Sequence, residues 1–281
     1  MYSIKRLIQP FMCREKKMTA ASDQELEPIP LAPETPFSFR CHPGVACFNA
    51  CCAQTTIILS PYDVLRLKKR LHLSAQEFLG RFTQRLADDF SGLPLVILDF
   101  QGPEKLCPFA SSTGCQVYED RPATCRYYPV GVASRWTPTG LEETHVYIQE
   151  DLCLGFAGGV TWTLETWIQD QGLRPYLELD RLWKSIMLQI GLRPGKPLSD
   201  KFKEHYYQAA YDLDWFRRFV FDTDFLRVFL VEPVEQAQLA QDDEALLRFA
   251  YRYLMYMLRL GQTLTVRVQR SCPACLQGEN P

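Results

Sequence analysis

Eight of the chain's eleven cysteines fall between Cys41 and Cys153, and their spacing constrains the fold more than any hydrophobic pattern does. Cys41, Cys47, Cys51 and Cys52 occupy twelve residues as C-x5-C-x3-C-C, and Cys107, Cys115, Cys125 and Cys153 run as C-x7-C-x9-C-x27-C. The odd total argues against a disulfide framework. So does the N-terminus, MYSIKRLIQPFMCREKKMTA, which is basic but has neither the unbroken apolar run nor the small-residue cleavage pattern of a secretory signal. The expected location is therefore a reducing cytoplasm, which leaves metal ligation, redox chemistry or burial as uses for the thiols.

Burial does not suit the surroundings. Cysteines stand among glycine, proline and polar residues, as in Cys41-His42-Pro43-Gly44 and Thr113-Gly114-Cys115. Thiolates are soft ligands for zinc, copper(I) and iron-sulfur clusters, and structural sites usually take four, so eight fill two such sites or one multinuclear centre. The adjacent pair Cys51-Cys52 is the most informative. Neighbouring side chains point to opposite faces of a strand and about 100° apart on a helix, so two metals or a bridging thiolate suit this pair better than one ion. Burial of one of the two is the plainer alternative.

Composition excludes other classes. At 281 residues, with 47% hydrophobic and 23% charged, the chain can bury one large core with an appendage. Lys+Arg 31 against Asp+Glu 33 gives a formal charge of -2, so nothing points to nucleic acid. The stretch from Cys41 to Tyr62 lacks charged residues, but Pro43, Asn49, Gln54, Pro61 and four cysteines interrupt it, so no membrane span is expected.

Four segments are expected. Residues 1–36 read as a mobile arm ending in the Pro- and acid-rich DQELEPIPLAPETP. Residues 37–160 form the cysteine-cluster metal-binding region, 161–270 a helical region completing the core, and 271–281 a flexible tail. Ser60, Pro61 and Asp63 open a helix, and the capping box Ser74-Ala-Gln-Glu77 opens a second that runs to about Leu86. Leu93 to Phe100, Thr144 to Gln149 and Thr263 to Val268 read as strands. Helices are expected over Thr163 to Asp170, Tyr176 to Ile190, Ser199 to Tyr211 and Asp242 to Leu260. The fold class is α+β and mainly helical, an irregular cysteine-rich region packed with helices and a few short strands.

Other motifs carry less. His42, beside Cys41, is an alternative ligand; Cys272-Pro-Ala-Cys275 lacks the strand–helix context of a redox dithiol; and no HExxH, G-x-S-x-G or phosphate loop occurs. Four thiolates around a divalent ion leave a charge near -2, so a nearby cation is expected to support the site. Arg126 is placed for that role, and Arg121 for a surface pair with Glu119 or Asp120.

The segment Cys107-Pro108-Phe109, then Gly114-Cys115-Gln116-Val117-Tyr118-Glu119-Asp120-Arg121-Pro122-Ala123-Thr124-Cys125-Arg126-Tyr127-Tyr128-Pro129, resembles the second half of the YkgJ-type cysteine cluster family. Cys47, Cys51 and Cys52, followed by Leu59-Ser60-Pro61-Tyr62-Asp63, resemble its first half. The gaps ahead of the double cysteine are longer here than in the family's compact form, which bears on Cys41. The resemblance implies a chelated zinc or iron, as a structural site or an iron-sulfur cluster, with metal ion as the partner and the protein partner unknown. Flagellin lysine N-methylases share the pattern, so a cluster-dependent enzyme, methyltransferase-like or an oxidoreductase, is the alternative.

Overall fold

The computed structural model describes residues 29–193 and 198–267. Strands β1 (Ile29–Pro30) and β2 (Phe37–Ser38) precede a 3-10 turn at Ala50–Cys52 and β3 (Ile58–Leu59). Helices α1 (Pro61–Arg70) and α2 (Ala75–Phe82) start at their expected caps, where Ser60 with Asp63 and Ser74 with Glu77 exchange side-chain and backbone hydrogen bonds. The second helix stops short of Leu86. Thr83–Ala87 is instead β4, paired along its whole length with β5 (Pro94–Leu98), so tertiary pairing overrides the helical pattern.

Next come β6 (Ala110–Ser111), β7 (Gly114–Cys115), α3 (Ala123–Tyr127), the long hairpin β8 (Val130–Thr137) and β9 (Gly140–Tyr147), and β10 (Thr161–Trp162). The remainder is mostly helical: α4 (Leu164–Asp170), α5 (Arg174–Gly191), α6 (Asp200–Tyr211), α7 (Leu213–Phe221), α8 (Phe225–Val228), β11 (Phe229–Leu230), α9 (Pro233–Gln241), α10 (Asp243–Met257) and β12 (Thr265–Val266). The four helices expected here are α4, α5, α6 and α10. Helix α7 goes unmarked in the sequence because only one residue separates it from α6, the corner residue Asp212, whose side chain caps the Trp215 amide. Among the described residues the sheets are small and antiparallel, ordered β1-β9-β8 and β3-β5-β4, with the pairs β2-β10, β6-β7 and β11-β12. The fold is therefore mixed α+β and mainly helical, as expected.

A continuous hydrophobic core joins both halves. Tyr62, Leu65 and Leu67 of α1 are buried with Phe109 and Val117 of the cysteine region and with Leu179, Trp183, Tyr206, Phe216 and Tyr251 of the helices. The cysteine loops therefore rest on a rigid floor. Residues 29–31, read from composition as part of an arm, lie on that body. Ile29 and Pro30 pair with Tyr147 and Val146, and buried Leu31 donates its N–H to the His145 carbonyl at 2.9 Å. Cys13, Cys272 and Cys275, with the rest of the arm and the tail, lie outside the described residues. No described helix is long and apolar enough to cross a membrane.

Candidate metal centre

Backbone pairing brings the cysteines together. The β2–β10 pair continues through Phe39 and Arg40, whose N–H groups donate to the carbonyls of Val160 at 3.1 Å and Gly155 at 2.9 Å, laying Cys41 beside the Cys153 segment. Gly155 permits this approach, since a Cβ there would sit 2.8 Å from the Phe39 ring. From His42 to Cys52 the chain winds through successive turns in which Val45, Phe48, Ala50 and Cys52 each donate to the carbonyl three residues back. Asn49 takes the left-handed conformation (φ 67) that asparagine tolerates better than most residues, and its side chain donates to the Ser111 carbonyl at 3.0 Å.

A second set of links joins the quartets. The Cys107 N–H donates to the Cys52 carbonyl at 2.8 Å, and the Gln54 N–H to Lys105 at 2.9 Å, so segments far apart in sequence run side by side. The β6–β7 hairpin pairs Ala110 with Cys115 and so folds Cys115 back beside Cys107; buried Phe109 and Val117 anchor it in the core. Cys125 rides on α3. That helix is pinned by Asp63 of α1, whose carboxylate accepts the Ala123 N–H at 2.8 Å and the Ser60 N–H at 2.8 Å.

All eight thiols end up within electrostatic reach of others in the set. Cys41 feels Cys47, Cys51 and Cys153; Cys52 feels Cys51, Cys107 and Cys125; and Cys125 feels Cys107, Cys115 and Cys51. Cys51 belongs to both groups, and also acts on Cys107 and Cys115. The Cys52 thiol donates a hydrogen bond to the Cys51 sulfur, which brings the Cys51 pKa down to about 7 and pushes that of Cys52 up. Thus the adjacent thiols, expected to diverge, come together because a 3-10 turn follows the left-handed Asn49.

Desolvation opposes charge on the others. Burial, then neighbouring thiolates, raises Cys41 to about 11, and burial is also the first cause of the upward shifts of Cys107, Cys115 and Cys125. Cys125 is exposed by area and still strongly desolvated, the combination expected of a group lying in a concavity. Backbone N–H groups counter the cost of charging: Leu154 donates to the Cys47 sulfur at 3.1 Å, Phe109 and Ala110 to Cys107, and Val117 to Cys115. Such donors favour the thiolate that a soft metal requires.

The donor set thus fits a soft metal by chemistry. The eight are free thiols, partly or well exposed, and none forms a disulfide. They are gathered but not closed: among the described residues no group of three or more His, Cys, Asp or Glu side chains is positioned to hold a metal ion. His42 is no ready substitute, since its Nδ1 accepts the Gly44 N–H at 3.1 Å.

Neither arginine takes its expected position. Arg121 is buried and acts electrostatically on Cys41, Cys115 and Cys125, whereas Asp120, one of its two expected partners, pairs with Arg66 at 2.5 Å, and among the described residues no salt bridge joins Arg121 to Glu119. Arg126 lies beneath, donating to the backbone carbonyls of Arg121, Gln171 and Glu119. The role of Asp63 carries no signal beyond that of an acid in a first helical turn, because its Ala123 contact spans sixty residues.

Residues 40–153 match the model of the CxxCxxCC family, described as a putative zinc- or iron-chelating domain. This bears out the resemblance drawn from the cysteine-bearing motifs, over nearly the same span. No curated protein and no solved structure matches the chain.

Proposed function

We propose that the protein chelates zinc or iron in a reducing cytoplasm through Cys41, Cys47, Cys51, Cys52, Cys107, Cys115, Cys125 and Cys153, in a centre holding more than one metal atom. The observation that carries this reading is the position of Cys51, the most readily ionised of the shifted thiols, within reach of both thiol groups. A thiolate shared between two groups of thiols suits a bridge, and an iron-sulfur cluster or a pair of zinc ions can both use one. Iron is placed slightly ahead, because clusters take neighbouring cysteines on different metal atoms. Metal binding across the long gap between Cys52 and Cys107 would staple that loop.

The test is elemental analysis with an absorption spectrum of anaerobically purified, unchelated protein. More than one metal atom per chain supports the reading; less than one equivalent removes it, and a single zinc without visible absorption leaves a closed mononuclear site. Cys115→Ser and Cys125→Ser should each lower metal content and thermal stability, since losing a ligand removes folding energy supplied by the metal. Wild-type values in both would refute the assignment of these ligands.

A further inference from the structure

Arg121 is buried and held by two hydrogen bonds and a ring. Its guanidinium donates to the Tyr118 carbonyl at 2.6 Å and to the Gln171 side chain, and it stacks on the Tyr118 ring 3.7 Å from the centroid. Only 8% of its surface is exposed. A buried guanidinium stays charged, and the cost of its desolvation is normally offset by a carboxylate. Among the described residues no salt bridge to Arg121 occurs, and the nearby acid Asp120 is committed to Arg66 at 2.5 Å and to Arg70 at 3.9 Å.

Its second buried neighbour makes the imbalance worse. Arg126, also buried, repels Arg121 and acts in turn on the buried carboxylate of Asp63. Among the groups that act electrostatically with Arg121 are the thiols of Cys115, Cys125 and Cys41. Buried positive charge set against neutral thiols would be a net cost, whereas set against thiolates it becomes an attraction strengthened by low local dielectric.

We infer that Arg121 is a positioning residue, the built-in countercharge of an anionic thiolate centre formed by Cys115, Cys125 and Cys41. This rests on the chelation reading and adds to it the sign of the centre's charge and the residue that balances it. A thiolate-rich site of net negative charge is thereby retained in a partly desolvated surface, and Tyr118 serves as the platform that aims the guanidinium.

The experiment measures Zn(II) affinity of the full chain by chelator competition at fixed pH, with far-ultraviolet circular dichroism to establish folding. Arg121→Gln keeps a donor for the Tyr118 carbonyl but removes the charge, and should weaken binding about 10- to 100-fold, the usual effect of losing a group that supports metal ligands. Arg121→Lys should recover most of it, which a merely structural role would not produce. If Arg121→Gln does not fold, Tyr118→Leu at an exposed position carries the test: a loss of about threefold or more supports the inference, and unchanged affinity overturns it. Wild-type affinity in Arg121→Gln alongside lost binding in Cys125→Ser overturns the countercharge alone. Wild-type affinity in Cys125→Ser overturns the ligand assignment beneath it.

Discussion

Replacing Asp180 by asparagine should stabilise the protein, and increasingly so as pH rises. Asp180 sits in the middle of α5 with 5% of its surface exposed and its Oδ1 without a hydrogen-bond partner. Facing it are Asp63 and Ser60 at the start of α1, Lys184 on its own helix, Glu143 of β9, Tyr127 of α3 and Tyr251 of α10. Burial first, and then the Asp63 carboxylate, push its pKa from 3.8 up to about 8. The folded protein therefore keeps a proton that the unfolded chain releases above about pH 4. Stability is full below the unfolded value and is lost as pH rises through the folded one, at about 1.4 kcal/mol per pH unit. Asparagine has the shape of the protonated acid and no proton to lose. Its advantage should grow by that slope and reach on the order of 2–4 kcal/mol near pH 7, a large share of a typical folding stability of about 5–15 kcal/mol. Urea unfolding midpoints of metal-loaded wild type and D180N, compared at several pH values from 6 to 8, provide the assay; Asp180 is not among the proposed ligands, so the metal's own pH dependence cancels in the difference. A difference that does not change with pH, or a variant less stable than wild type at pH 7.5, would refute the reasoning.

Asp63→Ala should cost about 2–5 kcal/mol, because the buried N–H groups of Ser60 and Ala123 lose their acceptor, and metal content should fall with it as α3 loses its anchor. Denaturant titration and metal analysis of the same preparation check both, and an unchanged midpoint would show that α3 is held by something else. Removing residues 271–281 should leave metal content intact, since two thiols in a short polar tail cannot close a four-ligand site; loss of a full equivalent would bring Cys272 and Cys275 into the centre.

The parts of the fold that were legible are those set by nearest neighbours. Ser60 and Ser74 open α1 and α2 where their caps place them, and the apolar stripe of Leu246, Leu247, Ala250 and Leu254 marks α10. What failed to show is set by partners distant in sequence. Thr83–Ala87 looks helical until β5 supplies every one of its pairs, and Ile29 and Pro30 look like part of a mobile arm until β9 pairs with them. Side-chain chemistry gives no warning of either, because ladder hydrogen bonds are made by groups that all residues share.

The same distinction explains the site. Residue type and spacing suffice to mark eight cysteines as candidate ligands, because a thiol among glycines and prolines has few other uses. Their convergence depends on contacts that no motif encodes: Gln54 on Lys105, Cys107 on the Cys52 carbonyl, and Arg40 on Gly155. The arginines show how far local reading reaches. Glu119 and Asp120 stand beside Arg121 in sequence and suggest an ordinary ion pair, yet Arg66 of α1 takes Asp120, and Arg121 is left facing thiols. A cation whose nearby acid is taken by another helix gains most from whatever anion remains. Among the groups that act on it here are the thiols of Cys41, Cys115 and Cys125, which become anions most readily when a metal binds them. The helix pairing that removes Asp120 from Arg121 is therefore part of what makes this surface suited to a thiolate centre.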